Sequence, residues 1–145
     1  MTYRLSTVPG SLTVGEWGPA DAPVVLAVHG ITASHQAWRT VAALLPEFHL
    51  IAPDLRGRGG SRTLPGPFGM ARHADDLADV LDHLGARHAT VVGHSMGAFA
   101  SLIFGLRHPA LVESTEVPNT NHYTIVMGSG AASVAATATR RGLSQ

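Results

Sequence analysis

The chain contains neither cysteine nor lysine in its 145 residues. Lack of cysteine rules out a disulfide framework, a thiolate metal site and a thiol nucleophile. Lack of lysine rules out a Walker-type phosphate loop, and no dinucleotide fingerprint stands in its place. Charge is sparse as well. Only 14% of residues are Asp, Glu, Lys or Arg, and ten basic side chains cancel ten acidic ones, so there is no footprint of a nucleic-acid or membrane-surface partner. No apolar stretch is long and clean enough to span a bilayer, because the longest candidate contains His94 and Ser95. The opening MTYRLSTVPG lacks the apolar run of a signal peptide, and a soluble, cytoplasmic protein is expected. Nine histidines are present, yet no pair has the i, i+4 spacing of a helical metal motif. Neither a metal nor another cofactor is expected.

What is there is apolar. Hydrophobic residues make up 45% of a length that suits one domain with a substantial core, taken here as 1–145. Tyr3 to Val8 and Leu12 to Trp17 read as strands joined by a Pro9-Gly10 turn. Pro23 to Val28 is a continuous apolar run of the kind that fills a buried strand, and it ends at His29-Gly30-Ile31-Thr32. Ser34 is placed to cap a helix running to Leu45, with Trp38, Val41, Ala42 and Leu45 on one face.

Phe48 to Ala52 supplies a further strand, followed by the glycine-rich Asp54–Ser61, read as a structural turn held by Asp54 and the arginines. A helix through Leu84 buries Leu77, Val80, Leu81 and Leu84 and turns Asp75, Asp76, Asp79 and Asp82 to solvent, and Gly85 stops it. Strands alternating with helices predict an α/β domain, a mostly parallel sheet flanked by helices with right-handed crossovers.

Ala89 to Leu106 concentrates the chemistry. Thr90-Val91-Val92 is a β-branched run, and Ala98, Phe99, Leu102, Ile103 and Leu106 recur at helical steps. Between them lies Gly93-His94-Ser95-Met96-Gly97, a G-x-S-x-G match. A strand turning sharply into a helix strains its corner residue and lifts that side chain clear of the sheet. A Cβ at either flanking glycine would collide with neighbouring backbone. Ser95 is therefore read as a nucleophile at the head of a helix, where the amides favour developing negative charge. The plainer alternative is a tight turn in which Ser95 only caps that helix.

Three landmarks in order, HGIT at His29–Thr32, DLRGRGGS at Asp54–Ser61 and GHSMG at Gly93–Gly97, resemble the α/β-hydrolase family from about Leu12 to Val112. The resemblance implies an oxyanion hole made by the backbone N–H groups of Met96 and of Ile31. It also implies a histidine base in a loop after the last strand. His122, within Asn119–Thr124, fits that place, with a strand at about Ser114–Val117 before it and an alanine-rich helix near Ser129–Arg141 after it. His29 is read as structural and His94 as packing or lining the pocket. Trp38, Phe99 and Tyr123 are candidates for that lining or for the core.

The chain departs from the family after Val112. A lid and two strands, one carrying the catalytic acid, are missing, so the fold is shortened after the nucleophile helix with a seam near 112–113. No acid has an obvious owner: Glu116 is a weak candidate, Asp54 lies in a loop the resemblance marks as structural, and Asn119 and Asn121 carry no charge. The shortened sheet closes if Ser114–Val117 pairs directly beside the strand leading to Ser95.

The expected function is a serine hydrolase, most simply of carboxylic esters, acting on a small-molecule acyl substrate. Ser95 is the nucleophile and His122 the base. The alternative is a binding or scaffold protein that keeps the fold without the acid.

Overall fold

A computed structural model describes residues 2–113 and the backbone of 124–127. Its strands are β1 (Tyr3–Thr7), β2 (Thr13–Trp17), β3 (Val24–Val28), β4 (His49–Pro53), β5 (Thr90–His94) and β6 (Thr124–Met127). Its α-helices are α1 (Arg39–Leu44), α2 (Met70–His83) and α3 (Met96–Arg107). The strands form one sheet in the order β1-β2-β4-β3-β5-β6.

The α/β class is as expected, and the three central strands β4, β3 and β5 run parallel. The flanking pairs, β1 with β2, β2 with β4 and β5 with β6, are antiparallel, so the sheet is mixed. The chain turns back at Pro9-Gly10, where Gly10 has φ +69°, a conformation glycine enters without steric cost. No helix among the described residues is long and apolar enough to cross a membrane.

Strand alternation divides the core in two. Leu26, Val28, Ile51 and Val91 pack with Leu77, Val80 and Leu81 of α2 and with Phe104 of α3. Val25, Ala27, Leu50, Ala52 and Val92 pack with Trp38, Ala42 and Leu45. Helices thus cover both faces, and the loops after β3, β4 and β5 leave from one end of the sheet.

Three expectations need correction. Ser34 does cap, accepting from Gln36 N–H at 3.3 Å, but the first turn, His35–Trp38, is a 3₁₀ turn and α1 begins only at Arg39. The cause is tertiary: Asp54 grips the backbone N–H and the ring of His35 together. In α2, Asp76 is buried rather than solvated. It accepts from Arg56 Nε at 2.8 Å and Arg56 Nη2 at 3.0 Å, and from Arg72 Nε at 3.1 Å. Asp75, partly covered, pairs with Arg107 and His108, which hold its carboxyl down at about 2.

In α3 the buried residues are Gly97, Ala98, Ala100, Ser101 and Phe104, with Leu102 and Ile103 partly buried against the core, while Phe99 and Leu106 are 61% and 77% exposed. This helix is apolar nearly all round, so packing chose the face whose small residues allow close approach to β3 and β5. The strand beside β5 is β6, antiparallel, and not Ser114–Val117 in parallel. Thr-Ile-Val-Met carries more β-branched and apolar content than Ser-Thr-Glu-Val, which favours it for that position. Residues 114–117 and 129–141 lie outside the described residues.

Candidate active site

Ser95 sits between β5 and α3 with φ +53° and ψ −121°. It is the one non-glycine residue with positive φ among those described, a strained placement of the kind found at functional corners. The flanking glycines behave as steric reasoning requires. A Cβ on Gly93 would stand 2.5 Å from the Gly97 carbonyl oxygen, and one on Gly97 would stand 2.1 Å from that of Val28. The Ser95 carbonyl accepts from Ala98 N–H at 2.9 Å, but its hydroxyl makes no capping hydrogen bond. The capping alternative therefore loses its basis.

Met96, as the first residue of α3, carries one of the backbone N–H groups that have no partner within the helix. The other expected donor lies in the loop after β3. That loop passes beside the elbow: a Cβ built on Gly30 would be in ordinary contact, 3.4 Å from Ser95 Cβ and 3.5 Å from His94 Cδ2. The Gly30 carbonyl accepts from His29 Nδ1–H at 2.7 Å and from Ala33 N–H at 3.1 Å. In a trans peptide the N–H points opposite to the carbonyl, so these contacts fix the direction of the Ile31 N–H. Arg58 Nε donates to the Ile31 carbonyl at 3.0 Å and holds the next peptide. The Ile31 side chain itself is exposed and plays no part in this.

His29 is structural, as the sequence suggested. Leu55 N–H donates to its Nε2 at 3.0 Å, so the ring is neutral with the proton on Nδ1. Burial pushes its pKa below the usual histidine value. One imidazole thereby joins the loop after β3 to the loop after β4. Asp54 is fully engaged there, accepting from His35 N–H at 2.6 Å, His35 Nδ1–H at 2.9 Å and Gly60 N–H at 2.8 Å. Arg56 binds buried Asp76, and together these contacts make the Asp54–Ser61 loop the turn that sequence reasoning expected.

A cavity of about 330 Å³ opens beside the elbow, lined by His29, Gly30, Ala33, Trp38, Val41 and His94, with Ala37 at its side. Trp38 and His94 thus line it; exposed Phe99 does not. His122, Tyr123, Glu116, Asn119 and Asn121 lie outside the described residues. Arg58 is the contributor that sequence reasoning left without a specific role. Its signal was only its place in a loop following a strand. His73 was missed altogether. It is fully buried on α2, with no hydrogen-bond partner for either ring nitrogen among the described residues, and burial lowers its pKa.

Residues 23–116 match the family described as alpha/beta hydrolase fold. The chain is 40% identical over 94 residues to a magnesium-chelatase 30 kDa subunit of Rhodobacter capsulatus, covering 63% of this chain and 33% of that protein. It is 36% identical over 96 residues to a bifunctional esterase/perhydrolase of Acinetobacter calcoaceticus, covering 65% and 35%. A haloalkane dehalogenase loop variant from Bradyrhizobium elkanii superposes with a TM-score of 0.68 at 34% identity, over 77% of this chain and 38% of that one. The chain thus spans about a third of the length of these curated relatives.

Proposed function

The chain belongs to the alpha/beta hydrolase fold family, and on that premise we propose that it is a serine hydrolase acting on a carboxylic ester or related small-molecule acyl compound. Ser95 Oγ attacks the acyl carbon, and His122 takes its proton and returns it to the leaving group. The N–H groups of Ile31 and Met96 hold the oxyanion that forms between those steps. This chemistry needs no cofactor. The observation that carries the reading is the elbow: a serine at φ +53° whose hydroxyl caps nothing, beside the loop that bears Ile31.

The register of β6 supports His122 as base. Thr124 pairs with His94, so the chain enters β6 at the end of the sheet where Ser95 sits. Two residues of backbone span at most about 7 Å, which limits how far His122 is carried from that end. Asp54 is committed to His35 and Gly60, leaving Glu116 as the carboxylate candidate for orienting His122. Alanines, Val41 and Trp38 around a cavity of about 330 Å³ suit a short apolar acyl group.

A second reading, a binding or scaffold protein, draws on Asp54 being committed to His35 and Gly60 and so not free to serve as the catalytic acid. A fluorophosphonate probe read by intact mass separates the two. The enzyme takes one label on Ser95, Ser95→Ala takes none there, and His122→Asn labels at least tenfold more slowly. A folded sample that leaves Ser95 unlabelled supports the binding protein instead.

A further inference from the structure

A second hydrogen-bonded relay lies toward the opposite edge of the sheet. Asp54, buried at the end of β4, accepts from His35 Nδ1–H at 2.9 Å. That bond leaves His35 Nε2 as the acceptor, and both Tyr3 O–H on β1 and Gln36 Nε2–H donate to it at 3.0 Å. The wiring is carboxylate to imidazole to hydroxyl, the same order by which a base held by a third group activates a nucleophile. Geometry holds it firmly. Asp54 also takes the backbone N–H of His35, and the rings of Tyr3 and His35 stack with 12° between their planes.

His35 is buried, whereas Tyr3 is 43% exposed and reaches solvent. Its ring borders a cavity of about 290 Å³ shared with Trp17, Gln36 and Arg39. Gln36 Nε2, 3.5 Å from Tyr3 Oη as well as bonded to His35, fixes the amide beside the two groups. Arg39 adds a positive charge to the same rim, which favours acyl donors with an anionic leaving group.

We propose that Tyr3 is an acyl-acceptor site distinct from Ser95, with His35 as its base and Asp54 positioning that base, and that it takes activated acyl donors. Tyr3 Oη attacks the acyl carbon while its proton passes to His35 Nε2. The bond from that carbon to the leaving group then breaks, the leaving group departs as an anion, and His35 releases its proton to water. The product is an O-acyl tyrosine. The transfer runs forward only when the leaving group is more acidic than a tyrosine phenol, whose pKa is about 10. Aryl esters of acidic phenols, thioesters and acyl phosphates meet that condition, whereas alkyl esters do not.

The test uses full-length Ser95→Ala, so that the elbow serine contributes nothing, with p-nitrophenyl acetate as the probe. Expected is release of one p-nitrophenolate per chain and one acetyl group on the Tyr3 peptide, removable by hydroxylamine. The rate should exceed that of the same chain in urea by at least tenfold. Tyr3→Phe in this background should abolish the acetyl group, and His35→Gln should bring the rate down to the unfolded level. If His35→Gln does not fold, the rate of the parent in D2O decides. Proton transfer to His35 in the attacking step makes it measurably slower there, whereas direct attack by a free phenolate does not. Acetylation of folded Ser95→Ala no faster than in urea, or an unchanged rate in folded His35→Gln, overturns the proposal, and the relay then only ties β1 to the loop after β4. Failure here leaves the Ser95 reading standing, because fluorophosphonate labelling of Ser95 is scored independently in Tyr3→Phe.

Discussion

Gly97→Ala puts the elbow under the sharpest steric test. The added Cβ would stand 2.1 Å from the Val28 carbonyl oxygen and 2.5 Å from that of His29, against the 3.4 Å at which ordinary contact begins. Both obstacles are backbone at the end of β3, so no side chain can swing aside. The start of α3 and the end of β3 must part by about 1.3 Å. Overpacking of this kind costs roughly 1–3 kcal/mol, and a misplacement near 1 Å at a reacting group costs about 10²-fold in rate. Both apply together, since Met96 and Ser95 immediately precede the substituted residue. Urea unfolding followed by circular dichroism should show the midpoint falling by about 1 M, given the usual slope for small domains. The fluorophosphonate rate should fall about 10²-fold under native conditions. Gly69→Ala is the control, for nothing lies within 4 Å of its added Cβ, and its effect should stay within about 1 kcal/mol. Wild-type unfolding and wild-type labelling by Gly97→Ala would refute the close approach of α3 to β3.

Three further outcomes are expected. Asp76→Asn leaves the Arg56 guanidinium buried without its counter-charge and should cost about 3–5 kcal/mol in urea unfolding. Arg72→Ala, which removes an exposed partner of the same carboxylate, should cost under about 1 kcal/mol. Burial lowers the pKa of both His29 and His73 from 6.5, so below that value the unfolded chain binds more protons than the folded one. Their contribution is therefore complete above about pH 6.5 and is lost as pH falls, by up to about 1.4 kcal/mol per pH unit for each. Unfolding midpoints between about pH 7 and 5 should show this slope, and His73→Leu should flatten it. Phe104→Ala should cost about 3–5 kcal/mol, whereas Phe99→Ala on the opposite side of α3 should change stability by less than about 0.5 kcal/mol. Equal losses would mean that the buried face of α3 is misassigned.

The legible parts of the fold were those decided by local sterics and short-range pattern. Gly93 and Gly97 announced the elbow because only a missing Cβ satisfies that turn, and Gly85 ended α2 at φ +71° for the same kind of reason. The alternating faces of β3, β4 and β5 followed from runs apolar on both sides. Long-range partners were hidden. Asp76 looked solvated because nothing near it in sequence names Arg56 as a buried mate twenty residues back. The helical periodicity of α3 was legible, but which side it buries was not, because Phe99 and Leu106 are more hydrophobic than the Gly97, Ala100 and Ser101 that packing preferred. The strand beside β5 was misplaced because two short segments competed for one edge, and pairing registers are set in three dimensions. In the candidate site, Ser95, Ile31 and Met96 came from one motif and its neighbour loop, whereas the hold of Arg58 on the Ile31 carbonyl depends on a contact spanning 27 residues.

Strand order also dictates when the core can close. β3 emerges early in synthesis, yet its two neighbours are β4, about 25 residues later, and β5, about 65 residues later. A nascent chain that has reached only Leu84 can zip β3 against β4, but the other side of β3 stays open, with Leu26 and Val28 bordering bare backbone. Such an edge invites pairing with a neighbouring chain, and sheets stitched across long separations assemble slowly. The segment that brings the elbow serine is thus also the one that covers the open side of β3, so a chain interrupted before Thr90 should aggregate.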